Sequence, residues 1–166
     1  MASKKGIAIT VIILGAITGA SFLFWIIPQN VETTFIVSDY ENYLDGVKNI
    51  HEVLAESIDL EYENLRTGKI SPQEYVLVTD VTSSQVTTQI SEFVTSKPAE
   101  EWQASYINYM EAMKSFNSYI IETKVLANMI ENGSTEEEMS ETLEKIELLK
   151  SKSIEFVKIS DQSRPG

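Results

Sequence analysis

The sequence predicts an all-α protein, a single N-terminal transmembrane helix followed by an extracytoplasmic antiparallel four-helix bundle. Three observations carry this expectation. Residues 6–27, GIAITVIILGAITGASFLFWII, form one uncharged run, and about 20 apolar residues are what a ~30 Å hydrocarbon core requires. No comparable run follows; apolar residues recur instead every three or four positions, the spacing of amphipathic helices. Ser-x-x-Glu heads three of these periodic segments, a pattern that satisfies free backbone N–H groups at a helix start.

Lys4 and Lys5 precede the run and acid-rich sequence follows it, so residues 1–5 are expected to stay cytoplasmic and the body to be exported. Trp25 falls near the outer interface, and Pro28 stops the helix. The alternative is a cleaved signal peptide with Thr18-Gly19-Ala20 as its site. A signal core is shorter than this run, and cleavage there would leave Ser21–Ile27 as an exposed apolar end. The localisation expected is therefore the cell membrane, single-pass, with a retained anchor. Within the span, Gly15 and Gly19 form a small-xxx-small pair with Ala16 and Ala20 alongside. Such a face admits a close-packed neighbour, a partner span or a second copy of this one, or it simply faces lipid.

The chain has no Cys, which excludes disulfides, thiolate metal sites and a Cys nucleophile. Beyond Lys4 and Lys5 the remaining 11 Lys and Arg face 25 Asp and Glu, a net −14. Nucleic-acid binding depends on clustered basic residues and is excluded; lying flat on anionic lipid is disfavoured too. Residues 28–37 read as a linker and 38–160 as one body with a single core.

That body divides into four helices. Capping boxes are expected at Ser38-Asp-Tyr-Glu41, Ser71-Pro-Gln-Glu74 and Ser134-Thr-Glu-Glu137. Pro72 suits a first helical position, and Ile70 and Tyr75 are spaced as a hydrophobic staple. The third helix is expected to start near Ser96-Lys97-Pro98, with Glu100 and Glu101 in its first turn. Gly68 and Asn132-Gly133 end the first and third segments. Tyr40, Leu44, Val47, His51, Leu54, Ile58, Tyr62 and Leu65 stripe the first. Trp102 to Ile130 stripe the third with a break near Thr123. Met139 to Val157 stripe the fourth, interrupted at Ser153. The second, Tyr75 to Phe93, is crowded with Val, Thr and Ser, and EYVLVTDVT also alternates like a strand. No partner strand exists, and a lone strand leaves its backbone unsatisfied, so helix is predicted. Short loops then require antiparallel neighbours, with a third helix of about 33 residues, ~50 Å long. Residues 161–166 are expected to fray.

Candidates for chemistry are few. His51 is the only histidine and sits on the apolar stripe; it reads as a satisfied core or boundary residue, with a pH-responsive or ligand-binding role as the alternative. It lacks a Glu three residues before it and a second His, so ferritin-like metal chemistry is disfavoured. Met110 and Met113 could hold a soft cation, but that spacing also suits a core. The row Trp102, Tyr106, Tyr109, Phe116, Tyr119 reads as a buried seam, with a ligand pocket as the alternative; its hydroxyls are expected at the bundle ends or rim. The hydroxyl-rich second helix reads as solvated, closely packed or ligand-lining. Asn132-Gly-Ser134 is a candidate N-glycosylation sequon at a loop tip, although Ser134 is also expected to cap. Nucleophile elbows, phosphate-binding glycine loops, zinc patterns and EF-hand loops are absent from the sequence. No enzyme activity, cofactor or metal is expected.

In layout, residues 38–160 resemble the extracytoplasmic four-helix sensor modules of chemoreceptors and sensor kinases, and the whole resembles small bitopic accessory subunits of membrane complexes. The first resemblance implies ligand sensing; such receptors return through the membrane to an output region, whereas a single span is read here, so autonomous signalling is not expected. The function expected is a non-enzymatic, membrane-anchored interaction, scaffold or accessory subunit, binding a protein partner through its span or its bundle, a second copy included. The alternative is an extracytoplasmic ligand- or cation-binding bundle working with a separate transducer.

Overall fold

Helix boundaries fall where the free donors and acceptors of each helix end find partners. The protein is described by a computed structural model over residues 39–165. The run 6–27 with Gly15, Ala16, Gly19 and Ala20, the linker 28–37 and Ser38 lie outside the described residues. Four helices follow in order: α1 Tyr40–Arg66, α2 Pro72–Thr95, α3 Glu100–Glu131 and α4 Glu136–Gln162. Among the described residues there is no strand, and no helix is long and apolar enough to cross a membrane.

The Ser71–Glu74 box forms as expected, with Pro72 opening the helix. The other three starts differ. Asp39, not Ser38, caps α1, its carboxylate accepting from the Asn42 N–H at 3.0 Å. α4 is boxed by Thr135 and Glu138, one residue later than Ser134 and Glu137. The cause is the end of α3, where Gly133 N–H bonds Ile130 C=O and Ser134 N–H bonds Met129 C=O. That Schellman turn commits Ser134 to finishing one helix and passes the next cap to Thr135. Gly68 and Lys69 close α1 in the same way on Leu65 and Asn64. Gly68 and Gly133 have φ of +66° and +73°, where a Cβ is disfavoured. Ser96 also ends a helix rather than starting one, its hydroxyl donating to Phe93 C=O at 2.6 Å. Lys97 then takes φ +42° and α3 begins behind Ala99, without a side-chain cap.

Cross-helix contacts give the directions. On α1 and α4, Asp45 pairs with Arg164, Lys48 with Asp161 and Asp59 with Lys150, one number rising as the other falls. α2 and α3 are likewise antiparallel, with Phe93 4.5 Å from Tyr106 between ring centroids and Ser83 donating to Asn117 at 2.7 Å. α1 and α3 run parallel across the diagonal, as Tyr106 OH donates to Tyr40 C=O and Tyr119 OH to Asp59. The result is an up-down-up-down bundle.

Its core has two apolar clusters. One gathers Ile58, Tyr62, Tyr75, Val86, Ile120 and Ile146, with Phe116 and Tyr119. The other gathers Leu44, Phe93, Tyr106, Tyr109, Ala112 and Met113. Ile70 and Tyr75 both join the first, as a staple requires. α3 supplies twelve of the buried residues. Its stripe is unbroken at Thr123, which is fully buried, accepts from Tyr75 OH at 2.8 Å and donates to Ile120 C=O. Ile130 is exposed instead, at the fraying end of the stripe. α2 is helical despite its composition, and its hydroxyls find partners on their own helix. Thr79 and Thr82 donate to Val76 and Val78 carbonyls, and Thr87, Thr88 and Ser91 to carbonyls four residues back.

Ser153 is no interruption of α4. With Ile146 and Ser160 it forms a heptad row, all three buried. Ser153 donates to Ala112 C=O at 3.0 Å and Ser160 to Ser105 C=O at 2.8 Å. Small residues on both helices allow that close approach. α4 runs to Gln162, and Arg164 binds Asp45 at 2.5 Å and Asp161 at 3.3 Å.

Two glycine substitutions should move stability in opposite directions. Nothing lies within 4 Å of a Cβ added at Gly46 or Gly133, so backbone preference alone decides. Gly46→Ala, inside α1, should stabilise by about 0.5–1 kcal/mol. Gly133→Ala should cost about 1–2 kcal/mol. Denaturant unfolding of the full chain in detergent measures both; the same sign for the two would refute the turn assignment.

Candidate functional site

Because α4 is drawn onto α3, its flank toward α1 is left open, and a cleft of about 450 Å³ lies there. α1 contributes Lys48, His51, Glu52, Ala55 and Asp59 to one wall. α4 contributes Lys150, Ser153, Ile154 and Val157 to the other, and the floor is Tyr109, Phe116 and Tyr119 of α3. Ala55 and Ser153, both small, fall near its middle, where larger side chains would close it. Ile154 stands on the rim at 63% exposure.

An ion pair closes each end. At one, Lys150 Nζ lies 2.7 Å from Asp59 Oδ2, while Tyr119 OH donates to Asp59 Oδ1 at 2.8 Å. The same ammonium stands 5.7 Å from the Tyr119 ring centroid. At the other, Lys48 Nζ lies 2.5 Å from Asp161, which Arg164 also contacts. Glu52 lines the wall between them, exposed and, among the described residues, in no ion pair. Burial pushes the Tyr109 and Tyr119 hydroxyls up, so both stay neutral donors.

His51 occupies the waist between the two apolar clusters. Its ring centroid is 4.6 Å from that of Phe116, which belongs to one cluster, and 5.8 Å from that of Tyr109, which belongs to the other. Nδ1 and Tyr109 OH are 2.8 Å apart. Burial pulls the imidazole down to about 4 from 6.5, so the ring is neutral at pH 7. The arrangement can bind and orient.

The remaining sequence candidates are not brought together. Asn132 is exposed as the C-cap residue that follows α3, with its sequon Ser134 in the same turn and the capping role on Thr135. Met113 is fully buried and Met110 packs against the same cluster. Tyr106 turns its hydroxyl to the Tyr40 carbonyl at the head of α1 and Tyr119 to the half-exposed Asp59 at the rim, whereas Tyr109 points inward to His51. The hydroxyl face of α2 lines no part of the cleft. Among the described residues, no three His, Asp or Glu side chains gather where they could hold a metal ion.

Reading the sequence for buried stripes missed a second surface. Ile50, Val53 and Leu60 of α1 and Leu77 and Val81 of α2 are all large, apolar and 43–68% exposed. The α1 positions 46, 50, 53, 57, 60 and 64 recur at helical spacing and carry no charge; neither do 77, 81, 84, 88 and 91 on α2. Antiparallel packing, with Tyr62 near Tyr75, sets Leu60 level with Leu77. The legible signal was a second apolar stripe beside the core stripe. Comparison of the chain with family models, curated proteins and solved structures returns no match.

The neutral histidine has a pH consequence. Its folded pKa lies below its unfolded value, so it contributes stability above pH 6.5 that is lost as pH falls toward 4, on the order of 3 kcal/mol in full. Lys48, Glu52 and Asp59 on its own helix, Tyr109 and Tyr119 on α3, and Lys150 and Asp161 on α4 are the ionisable groups around the cleft it lines. Asp45, held below the usual carboxylate range by Arg164, and Glu74 and Glu138, held there by their caps, lose their contributions at lower pH. His51→Asn keeps a hydrogen-bonding group at the Nδ1 position and removes the titration. The wild-type melting temperature should fall more steeply than the variant's between pH 6.5 and 4.5; parallel profiles would refute the assignment.

Proposed function

We propose that this chain is a non-enzymatic, membrane-anchored helical bundle acting as an interaction or accessory subunit of a membrane complex. In this reading residues 6–27 span the cell membrane, residues 1–5 are cytoplasmic and the bundle is extracytoplasmic. The observation that carries it is the uncharged α1/α2 face. A body with so many carboxylates keeps itself soluble with charge, yet α1 and α2 leave five large apolar side chains 43–68% exposed along uncharged helix positions. Gly15 and Gly19 supply the matching feature in the membrane, a helix face on which a neighbouring span can pack closely.

A second reading is supported by the α1/α4 cleft: a ligand-binding bundle that works with a separate transducer. Its volume of about 450 Å³ falls within the range of small-molecule sites.

The subunit reading is tested on full-length chain extracted in mild detergent. A membrane protein should co-purify in fixed stoichiometry. Leu60→Asp with Val81→Asp should reduce that association about tenfold or more while leaving the melting temperature near wild type, since both side chains are exposed. Gly15→Ile with Gly19→Ile should weaken it as well. A chain that runs alone, or charged variants that retain the partner, would overturn the reading.

A further inference from the structure

We propose that Asn132 is an N-glycosylation site whose side-chain amide takes a glycan from a lipid-linked sugar phosphate; the inference rests on the anchored, extracytoplasmic reading above. Asn132-Gly-Ser134 is the one Asn-x-Ser/Thr tripeptide among the chain's eight asparagines, so a sugar attached in this way has a single address. A serine occupied in capping α4 would be unavailable to a transferase. The cap has passed to Thr135, whose hydroxyl accepts from the Glu138 N–H at 3.3 Å. Ser134 spends its backbone N–H on the Met129 C=O, and its hydroxyl makes no hydrogen bond among the described residues. The acceptor is equally free: Asn132 is exposed, and among the described residues its carboxamide makes no hydrogen bond.

The place in the fold suits a bulky addition. Tyr106 OH on Tyr40 C=O sets the start of α3 beside the start of α1, and the Gln73–Glu131 hydrogen bond sets the end of α3 beside the start of α2. The turn therefore caps the end of the bundle opposite Tyr40. None of residues 132–134 carries an apolar side chain, so opening this tip to a transferase breaks a few backbone bonds and uncovers no core. In the transfer the Asn132 amide nitrogen bonds to the anomeric carbon of the sugar as that carbon's bond to the phosphate oxygen breaks. The lipid phosphate leaves with the electron pair, and one amide proton passes to base. The competing fate of an exposed Asn-Gly is deamidation, which uses the Gly133 nitrogen as nucleophile. That N–H is held on the Ile130 C=O at 3.1 Å.

The full chain, purified in detergent from the cells that make it, is digested with trypsin and the peptide 125–145 between Lys124 and Lys145 is read by mass spectrometry. It should carry whole sugar residues on Asn132. Asn132→Gln and Ser134→Ala should both remove them and share one melting temperature, since Ser134 caps no helix. Ser134→Thr should keep them. Thr135→Ala should keep them as well while lowering the melting temperature by a few degrees through the lost cap. A peptide that is unmodified, or only converted to Asp, overturns the inference, and so does sugar that survives Ser134→Ala. Protease added to intact cells separates the two readings. An unmodified body digested from outside sinks the glycan and spares the anchored reading; one that is protected sinks both.

Discussion

The hydroxyls of Ser153 and Ser160 donate to carbonyls of α3, at 3.0 Å to Ala112 and 2.8 Å to Ser105, and the shape of the bundle follows from that approach. A helix seam built of Ser and Ala brings backbones closer than one built of Leu. Each such bond contributes about 1 kcal/mol net, but leaving either hydroxyl unpartnered in the interior would cost more. α4 therefore takes most of its burial from α3, and Ile146 is its only fully buried large apolar residue. A symmetric bundle would have shared α4 equally between α1 and α3.

What α4 gives up on the α1 side is bridged by charge. The three pairs between these helices are partly exposed, with side-chain exposures between 20 and 47%, and exposed pairs contribute about 0–1 kcal/mol each. They fix register rather than supply cohesion. Buried tyrosines do the converse work on the floor: Tyr109 and Tyr119 are almost wholly enclosed, and both hydroxyls reach polar atoms of α1. The polar waist at His51, with Nδ1 2.8 Å from the Tyr109 hydroxyl, thus separates two apolar clusters.

Element existence and direction were legible in the sequence because periodicity and turn chemistry agreed. The 3–4 stripes from Tyr40 to Leu65 and from Trp102 to Ala127 are buried or half-buried throughout, and both Gly turns sit where expected. Boundaries were legible only to within a few residues. Ser134 and Thr135 are both competent caps, and only the Schellman bonds at Gly133 decide between them. Ser96 looked like a start because Pro98 and two glutamates follow it; the reversal through Lys97 uses it as a stop. The cleft was not legible. Ser153 and Thr123 looked alike as polar gaps in apolar stripes, yet one packs against a backbone carbonyl at the edge of an opening and the other accepts from a tyrosine in a closed core. A stripe records which side of a helix is inside, and not how far its neighbour stands away.

The antiparallel ladder between α1 and α4 also has a mechanical meaning. Asp45–Arg164, Lys48–Asp161 and Asp59–Lys150 lie in sequence inward from the adjacent ends of the bundle. Tension applied at those two ends loads the rungs one after another, as a zipper is opened, instead of shearing all of them together. Asp45–Arg164 would part first, Lys48–Asp161 at the near end of the cleft next, and Asp59–Lys150 at its far end last, so the opening between α1 and α4 widens in steps from one end.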